Sequence, residues 1–201
     1  MKILKGLGIA LIVLFLAFAG YNATQDGHYE VSRTVKINAS PMTVSAIVSE
    51  FRNWPDWAVW FQRDSTMVAT FGEKTTGVGA NYSWVSENSG AGRMEILAYE
   101  PGTSMNTSIS FDGQGSSNGF WKFEQLDHGV TQVTWGMTGE MGFFGRFLAP
   151  KMEQWVGPDF EQGLDNLIAL AERVQRERDD AVANERAVRA AIEAAMEPIQ
   201  H

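Results

Sequence analysis

The chain has 201 residues, room for one domain with appendages, and its balance of 44% apolar to 20% charged residues is that of a globular protein with a core. A net charge of −8 without a basic stripe argues against a nucleic-acid partner, whose phosphates need clustered Lys and Arg. The absence of cysteine excludes disulfides, zinc fingers, thiol nucleophiles and lipoprotein-type acylation.

Lys2 and Lys5 precede an uninterrupted run of small and apolar residues from Gly6 to Gly20. This run matches the upper length of a signal-peptide core. With Ile3 and Leu4, or Tyr21 to Ala23, it reaches the ~20 residues of a membrane-spanning helix. Ala17-Phe18-Ala19 has the small-x-small form of a signal-peptidase site, and Tyr21 suits an interfacial anchor. Residues 1–23 therefore read as a retained anchor or a cleaved signal, with a buried core helix as the third reading. The first two place everything after residue 25 outside the cytoplasm, because the basic flank stays inside. Residues 24–28 form a polar linker. All seven Trp lie between Trp54 and Trp155, which places the folded domain in the middle of the chain.

Tyr29, Val31, Val35 and Ile37 alternate with polar neighbours and predict a half-buried strand over 28–38. Ser40 caps a helix that starts at Pro41, carries Val44, Ile47, Val48 and Phe51 at helical spacing, and is ended by Asn53 and Pro55. An aromatic turn follows with Trp54, Trp57, Trp60 and Phe61. Strands are then predicted over 66–71, 80–87, 92–99, 104–111, 117–125 and 131–140. They are separated by turn residues such as Gly77-Val78-Gly79, Asn88-Ser89-Gly90, Pro101-Gly102 and Asp127-His128-Gly129. Such short connections require hairpins and hence an antiparallel sheet.

After Gly142 the period becomes helical. Phe143, Phe144, Phe147 and Leu148 lead into Pro150, and Trp155, Phe160, Leu164, Leu167, Ile168 and Ala171 mark one apolar face. The domain runs over 29–174. Residues 175–201 read as a charged, Ala-rich helical tail with a narrow stripe that includes Val182, Val188, Ile192 and Met196. The tail is either a solvated extension or a helix that meets a partner.

Several segments carry a resemblance when taken in this order. They are Arg33-Thr34-Val35-Lys36-Ile37-Asn38-Ala39-Ser40-Pro41, Phe51-Arg52-Asn53-Trp54-Pro55-Asp56-Trp57, Gly77-Val78-Gly79 with Tyr82 and Trp84, and Gly90-Ala91-Gly92 with Met94. Val133-Thr134-Trp135-Gly136-Met137 and Gly157-Pro158-Asp159-Phe160-Glu161-Gln162-Gly163-Leu164 complete the set. Over about residues 29–171 the chain resembles the START-like (SRPBCC) superfamily, and locally its polyketide cyclase/dehydrase type 2 group. The resemblance implies an α+β helix-grip fold, a curved antiparallel sheet of about seven strands wrapped around a long C-terminal helix, with a cavity between them. The N-terminal segment is similar to that of many bacterial relatives. This implies a single-pass inner-membrane protein whose domain faces the periplasm or, after cleavage, a soluble periplasmic one.

Strand alternation assigns the inner wall. Tyr82 and Trp84 share one face of their strand, and Met94, Ile96 and Ala98 oppose Arg93 and Glu95. Ile109 pairs with Phe111. Trp121 and Phe123 oppose Lys122 and Glu124, and Val133, Trp135 and Met137 align. Trp57 and Trp60 from the aromatic turn, and Phe160, Leu164 and Leu167 from the last helix, close the wall. Such a wall suits a hydrophobic small molecule or lipid, and it equally suits a filled core.

No catalytic motif emerges. His28, His128 and His201 fall in a linker, a turn and the last position, no spacing suits a metal, and no cofactor is implied. The remaining polar candidates are Arg93, Glu140, Asp159 and Glu161, with Asp159 expected at a helix start after Pro158. The reading is a membrane-tethered or exported binding domain for a hydrophobic ligand. The alternatives are a cyclase- or lyase-type enzyme on the same fold, and a protein-interaction or envelope-stress module with a filled core.

Overall fold

A computed structural model describes residues 2–113 and 115–196. Helix α1 (Lys2–Ala23) is followed by β1 (His28–Ile37), α2 (Pro41–Ser49), a 3-10 turn (Phe51–Asn53), α3 (Trp54–Trp57) and α4 (Val59–Arg63). Six strands come next: β2 (Val68–Phe71), β3 (Asn81–Ser86), β4 (Gly90–Glu100), β5 (Ser104–Phe111), β6 (Gly115–Gln125) and β7 (Thr131–Glu140). A 3-10 segment (Phe143–Lys151) leads into α5 (Met152–Met196). The sheet order is β1-β7-β6-β5-β4-β3-β2, antiparallel throughout, and α5 lies across its concave face: an α+β helix-grip fold.

Local chemistry sets the boundaries. Ser40 Oγ accepts the Thr43 N–H, and Pro41 occupies the first turn of α2, where its missing donor costs nothing. The helix stops at Ser49, earlier than the spacing of Phe51 implies. Glu50 takes an extended conformation to bridge Thr76 and accepts the Thr75 hydroxyl at 3.0 Å. Pro55 sits inside α3 and does not end the preceding helix. The strand expected from residue 66 begins only at Val68, because the Thr66 N–H and hydroxyl both donate to the Asp64 carboxylate. A β-bulge between Ile96 and Ala98 reverses the alternation on β4. Ala98 therefore turns to solvent, against expectation, and Tyr99 turns toward the core.

Helix α5 is continuous over 45 residues, about 67 Å at 1.5 Å per residue. Pro158 lies inside it and not at its start, so Asp159 has no helix N-terminus beside it. The helix comes close to the sheet at Gly163, where an added Cβ would sit 3.0 Å from the Trp135 ring. Trp155 points away from the apolar face and is 51% exposed. Contacts with α2 run past residue 174: the Gln175 amide oxygen accepts from Ser40 N at 3.1 Å and Thr43 Oγ1 at 2.6 Å, and Arg178 donates to Thr43 Oγ1.

The register brings one set of strand ends to a common rim. The pairs His28–Glu140, Ser117–Gly139, Phe111–Gly115, Gly92–Phe111, Ser86–Gly90 and Val68–Val85 all lie along it. Helix α1 meets the domain at this rim. The Phe18 ring packs edge-on against Phe147 at 5.6 Å, and the Asn22 side-chain oxygen accepts the Phe147 N–H at 3.3 Å. Residues 4–23 of α1 are apolar and long enough to cross a membrane, and Asn22 is the one residue among them that is buried.

Candidate functional site: an apolar cavity beneath the C-terminal helix

The concave face is filled on one side and empty on the other. Trp121 stacks on Trp135 with ring centroids 4.7 Å apart, Trp135 stacks on Phe160 at 4.0 Å, and Phe123 continues the column beyond Trp121 at 6.2 Å. Trp57 meets Trp121 and Trp135 edge-on at 5.8 and 5.5 Å. Together with Ile96, Leu164 and Leu167, all fully buried, these rings close the half of the interior away from the rim.

The rim half contains a cavity of about 270 Å³. Nine of the residues expected from strand alternation, the aromatic turn and the last helix line it: Trp60, Tyr82, Trp84, Met94, Ile109, Phe111, Trp135, Met137 and Phe160. Apart from Ala98, which faces solvent, the others do not: Trp57, Ile96, Trp121, Phe123, Val133, Leu164 and Leu167. They share the inner face but belong to the filled half, because the stacked indoles leave no space beside them. The wall also includes Trp54, Met67, Ser89, Thr107, Val156 and Asp159. Thr107 carries the Ile109 alternation two residues back. Val156 stands one turn before Phe160, the position that helical spacing had given to Trp155. Met67 and Ser89 come from connections with no periodic signal.

Glycine shapes one wall. The Trp84 ring lies over Gly92, where any Cβ would collide with it and with the Ser110 carbonyl, and its far edge meets Phe111 at 5.6 Å. Tyr82 supplies a phenol held among Phe51, Phe61, Phe71 and Trp84. Burial pushes this phenol well above the usual tyrosine range, only partly offset by a hydrogen bond with Trp60, so the group stays neutral.

The mouth is braced by polar side chains. Asp159 is paired with Arg63, which also donates to Gln162 at 2.7 Å and so joins α4 to α5. Asp64 accepts from Ser86, Thr66, Asn88 and, at 2.7 Å, from Ser89. The hydroxyls of Ser86, Ser89 and Thr66 hold this carboxyl well below the ordinary range, and the network pins the β3–β4 turn beside the mouth. On the other side of the domain Arg33 bonds Glu161 at 2.6 Å and Glu153 at 2.7 Å, tying β1 to α5.

The remaining polar candidates lie outside the cavity. Arg93 pairs with Glu95 on the outer face, Glu140 and His28 are exposed at the rim, and Glu161 is engaged by Arg33. His128 falls in the turn Asp127–Gly129, and His201 lies outside the described residues. Among the described residues no group of three His, Asp or Glu is placed to hold a metal ion. The ionisable groups in the wall are Tyr82 and Asp159, the first neutral and the second already paired. This arrangement can enclose an apolar molecule and offer it a hydroxyl. The Ser89 hydroxyl in the wall donates to the Asp64 carboxylate at 2.7 Å as part of the network that pins the β3–β4 turn.

The helix-grip sheet and its cavity define a domain of the START-like class. Residues 28–172 match the family described as polyketide cyclase / dehydrase and lipid transport, and the chain belongs to that family. A START superfamily protein from Mycobacterium smegmatis shares the fold at 19% identity, covering 74% of this chain and 99% of its own, with a TM-score of 0.52. The Zhui aromatase/cyclase from Streptomyces sp. R1128 does so at 17% identity over 73% and 94%, with a TM-score of 0.53. A protein of unknown function from Staphylococcus aureus is similar at 14% identity over 75% and 98%, with a TM-score of 0.59. No curated protein matches the sequence. Family and fold together define a ligand-binding or cyclase-type domain.

Proposed function

We propose that the chain is a membrane-anchored carrier of a hydrophobic small molecule or a single lipid chain, bound in the cavity between the sheet and α5. The observation that carries this reading is the composition of the wall. Apolar rings and thioethers surround a space whose polar groups, besides the indole N–H of its tryptophans, are a neutral phenol, two small hydroxyls and one paired carboxylate. Burying ligand surface there contributes roughly 25 cal/mol per Å² before association costs. Charged or strongly hydrated substrates would lose their water without replacement.

Volume narrows the ligand class. A cavity of about 270 Å³ lies just under the ~300 Å³ at which ligand pockets usually begin. It suits one compact ring system or a stretch of one acyl chain, not a whole two-chain lipid. Tyr82 and Thr107 would orient a carbonyl or hydroxyl on such a ligand.

The anchor reading is supported by the docking of α1 on the domain. Asn22 is fully buried and Phe18 is engaged by Phe147, so cleavage after Ala19 would remove one of the two contacts. The domain then stands on the extracytoplasmic side, in the periplasm if the membrane is a bacterial inner membrane. Titrating the chain with the apolar fluorophore phenylnaphthylamine tests the carrier. A saturable rise in emission, reversed by a fatty acid or a quinone, is expected, and a linear response without competition would overturn the reading.

A further inference from the structure

The cavity mouth and the membrane helix lie on the same rim, and the spacing between them is fixed. Between Ala23 and His28 only residues 24–27 intervene, at most about 14 Å of extended chain. Phe18 lies five residues before the end of α1, which at 1.5 Å per residue sets it about 7.5 Å below that end. A 20-residue apolar stretch spans ~30 Å, the thickness of the hydrocarbon layer, so Phe18 falls within its outer half, about 7.5 Å from the edge. Phe147 touches Phe18, and the 3-10 segment that carries it therefore meets the outer part of the bilayer, at the boundary between hydrocarbon and headgroups.

That segment and the helix turn after it expose three large aromatic rings with no partner in the domain core: Phe143 at 41%, Phe144 at 61% and Trp155 at 51% exposure. Phe143 and Phe144 pack edge-on at 5.2 Å, and the Arg146 guanidinium lies 5.8 Å from the centre of the Phe143 ring. Aromatic rings flanked by a basic side chain are the composition of an interfacial belt. Val156 and Asp159, on the turns next to Trp155, line the cavity. The β3–β4 turn, which supplies Ser89 to the mouth, and the β5–β6 turn, which follows Phe111, close the same rim. Glu87 and Asp112 in those turns are acidic, so the seat is apolar and not a matter of attraction to anionic lipid.

Resting on the anchored reading, we infer that Phe143, Phe144 and Trp155 seat in the interfacial layer of the bilayer that α1 crosses. The cavity mouth then opens onto the lipid surface, and a ligand passes between bilayer and cavity without entering bulk water.

The lack of cysteine allows single-site labelling. The full chain, reconstituted in phosphatidylcholine vesicles, would carry an environment-sensitive fluorophore at Phe144→Cys, at Trp155→Cys, or at the exposed Asp127→Cys on the opposite end of the sheet. Blue-shifted emission quenched by brominated phosphatidylcholine is expected at the first two positions and not at the third. If all three report water while α1 resists alkaline extraction, the seating is overturned and the anchor stands. If alkali releases the chain, the anchor falls, and the seating falls with it.

Discussion

Trp135 on β7 and Phe160 on α5 stack face to face, with ring centroids 4.0 Å apart and planes 17° from parallel. The pair forms the boundary between the filled and empty halves of the interior. Both rings line the cavity, and Trp135 also stacks on Trp121 in the solid part of the core. Phe160→Ala should therefore enlarge the cavity and cost about 3–5 kcal/mol, the range for a buried aromatic truncated to Ala. Urea denaturation monitored by circular dichroism reads the loss. A change below 1 kcal/mol would mean that the column does not hold the sheet to the helix.

Ile109→Trp should have the opposite character. Ile109 lines the cavity from the middle of β5, and an indole there would occupy ligand space without opening a void. Phenylnaphthylamine affinity should fall roughly tenfold or more, equivalent to about 1.4 kcal/mol. The urea midpoint should move little. Unchanged affinity would place the probe elsewhere.

Asp64 sets an acid limit on the mouth. Its folded pKa lies below the unfolded value of about 3.9. A group with a depressed folded pKa contributes stability above its unfolded pKa and loses it as pH falls toward the folded value. The urea midpoint should accordingly drop below about pH 4. Asp64→Asn should remove that part of the acid dependence while lowering the midpoint at neutral pH, because an amide cannot accept every hydroxyl that the carboxylate does. An Asp64→Asn profile parallel to the wild type would assign the acid limit to other carboxylates.

The Arg63–Asp159 pair joins α4 to α5 beside the mouth, with the Arg63 side chain half exposed. Exposed pairs contribute about 0–1 kcal/mol, so Arg63→Gln should leave the melting temperature nearly unchanged. Its expected effect is kinetic, a faster release of bound phenylnaphthylamine in stopped-flow displacement. Equal release rates would remove the pair from any part in gating.

Truncation separates the domain from its tail. Ending the chain after Asp179 should preserve stability, because α5 is exposed throughout beyond that point. Ending it after Val174 removes the Gln175 acceptor from Ser40 and Thr43 and should cost about 1–2 kcal/mol. Equal melting temperatures for the two truncations would put the functional boundary at 174.

Most of this architecture was legible in residue order. Alternation at Tyr82 and Trp84, at Trp121 and Phe123, and at Trp135 and Met137 identifies the inner face, since period-two patterning follows directly from strand geometry. Whether an inward residue lines a void or fills it was not legible. That depends on how rings from β6, β7 and α5 stack on one another in three dimensions, which period-two patterning does not encode, so Trp121 and Phe123 could not be told from Trp135. The β4 bulge leaves no mark in composition, so alternation puts Ala98 on the wrong face. Pro158 looked like a helix start because proline suits a first turn, yet α5 begins six residues earlier at Met152. Met67 and Ser89 reach the cavity from aperiodic connections and could be found only in three dimensions.

The most direct test of a cavity that carries a hydrophobic ligand is native mass spectrometry of the full chain released from its membrane in mild detergent, followed by organic extraction. The wild type should retain a near-stoichiometric apolar molecule that Ile109→Trp does not. A wild-type chain that carries nothing, binds no added fatty acid or quinone, and behaves like Ile109→Trp would contradict the account.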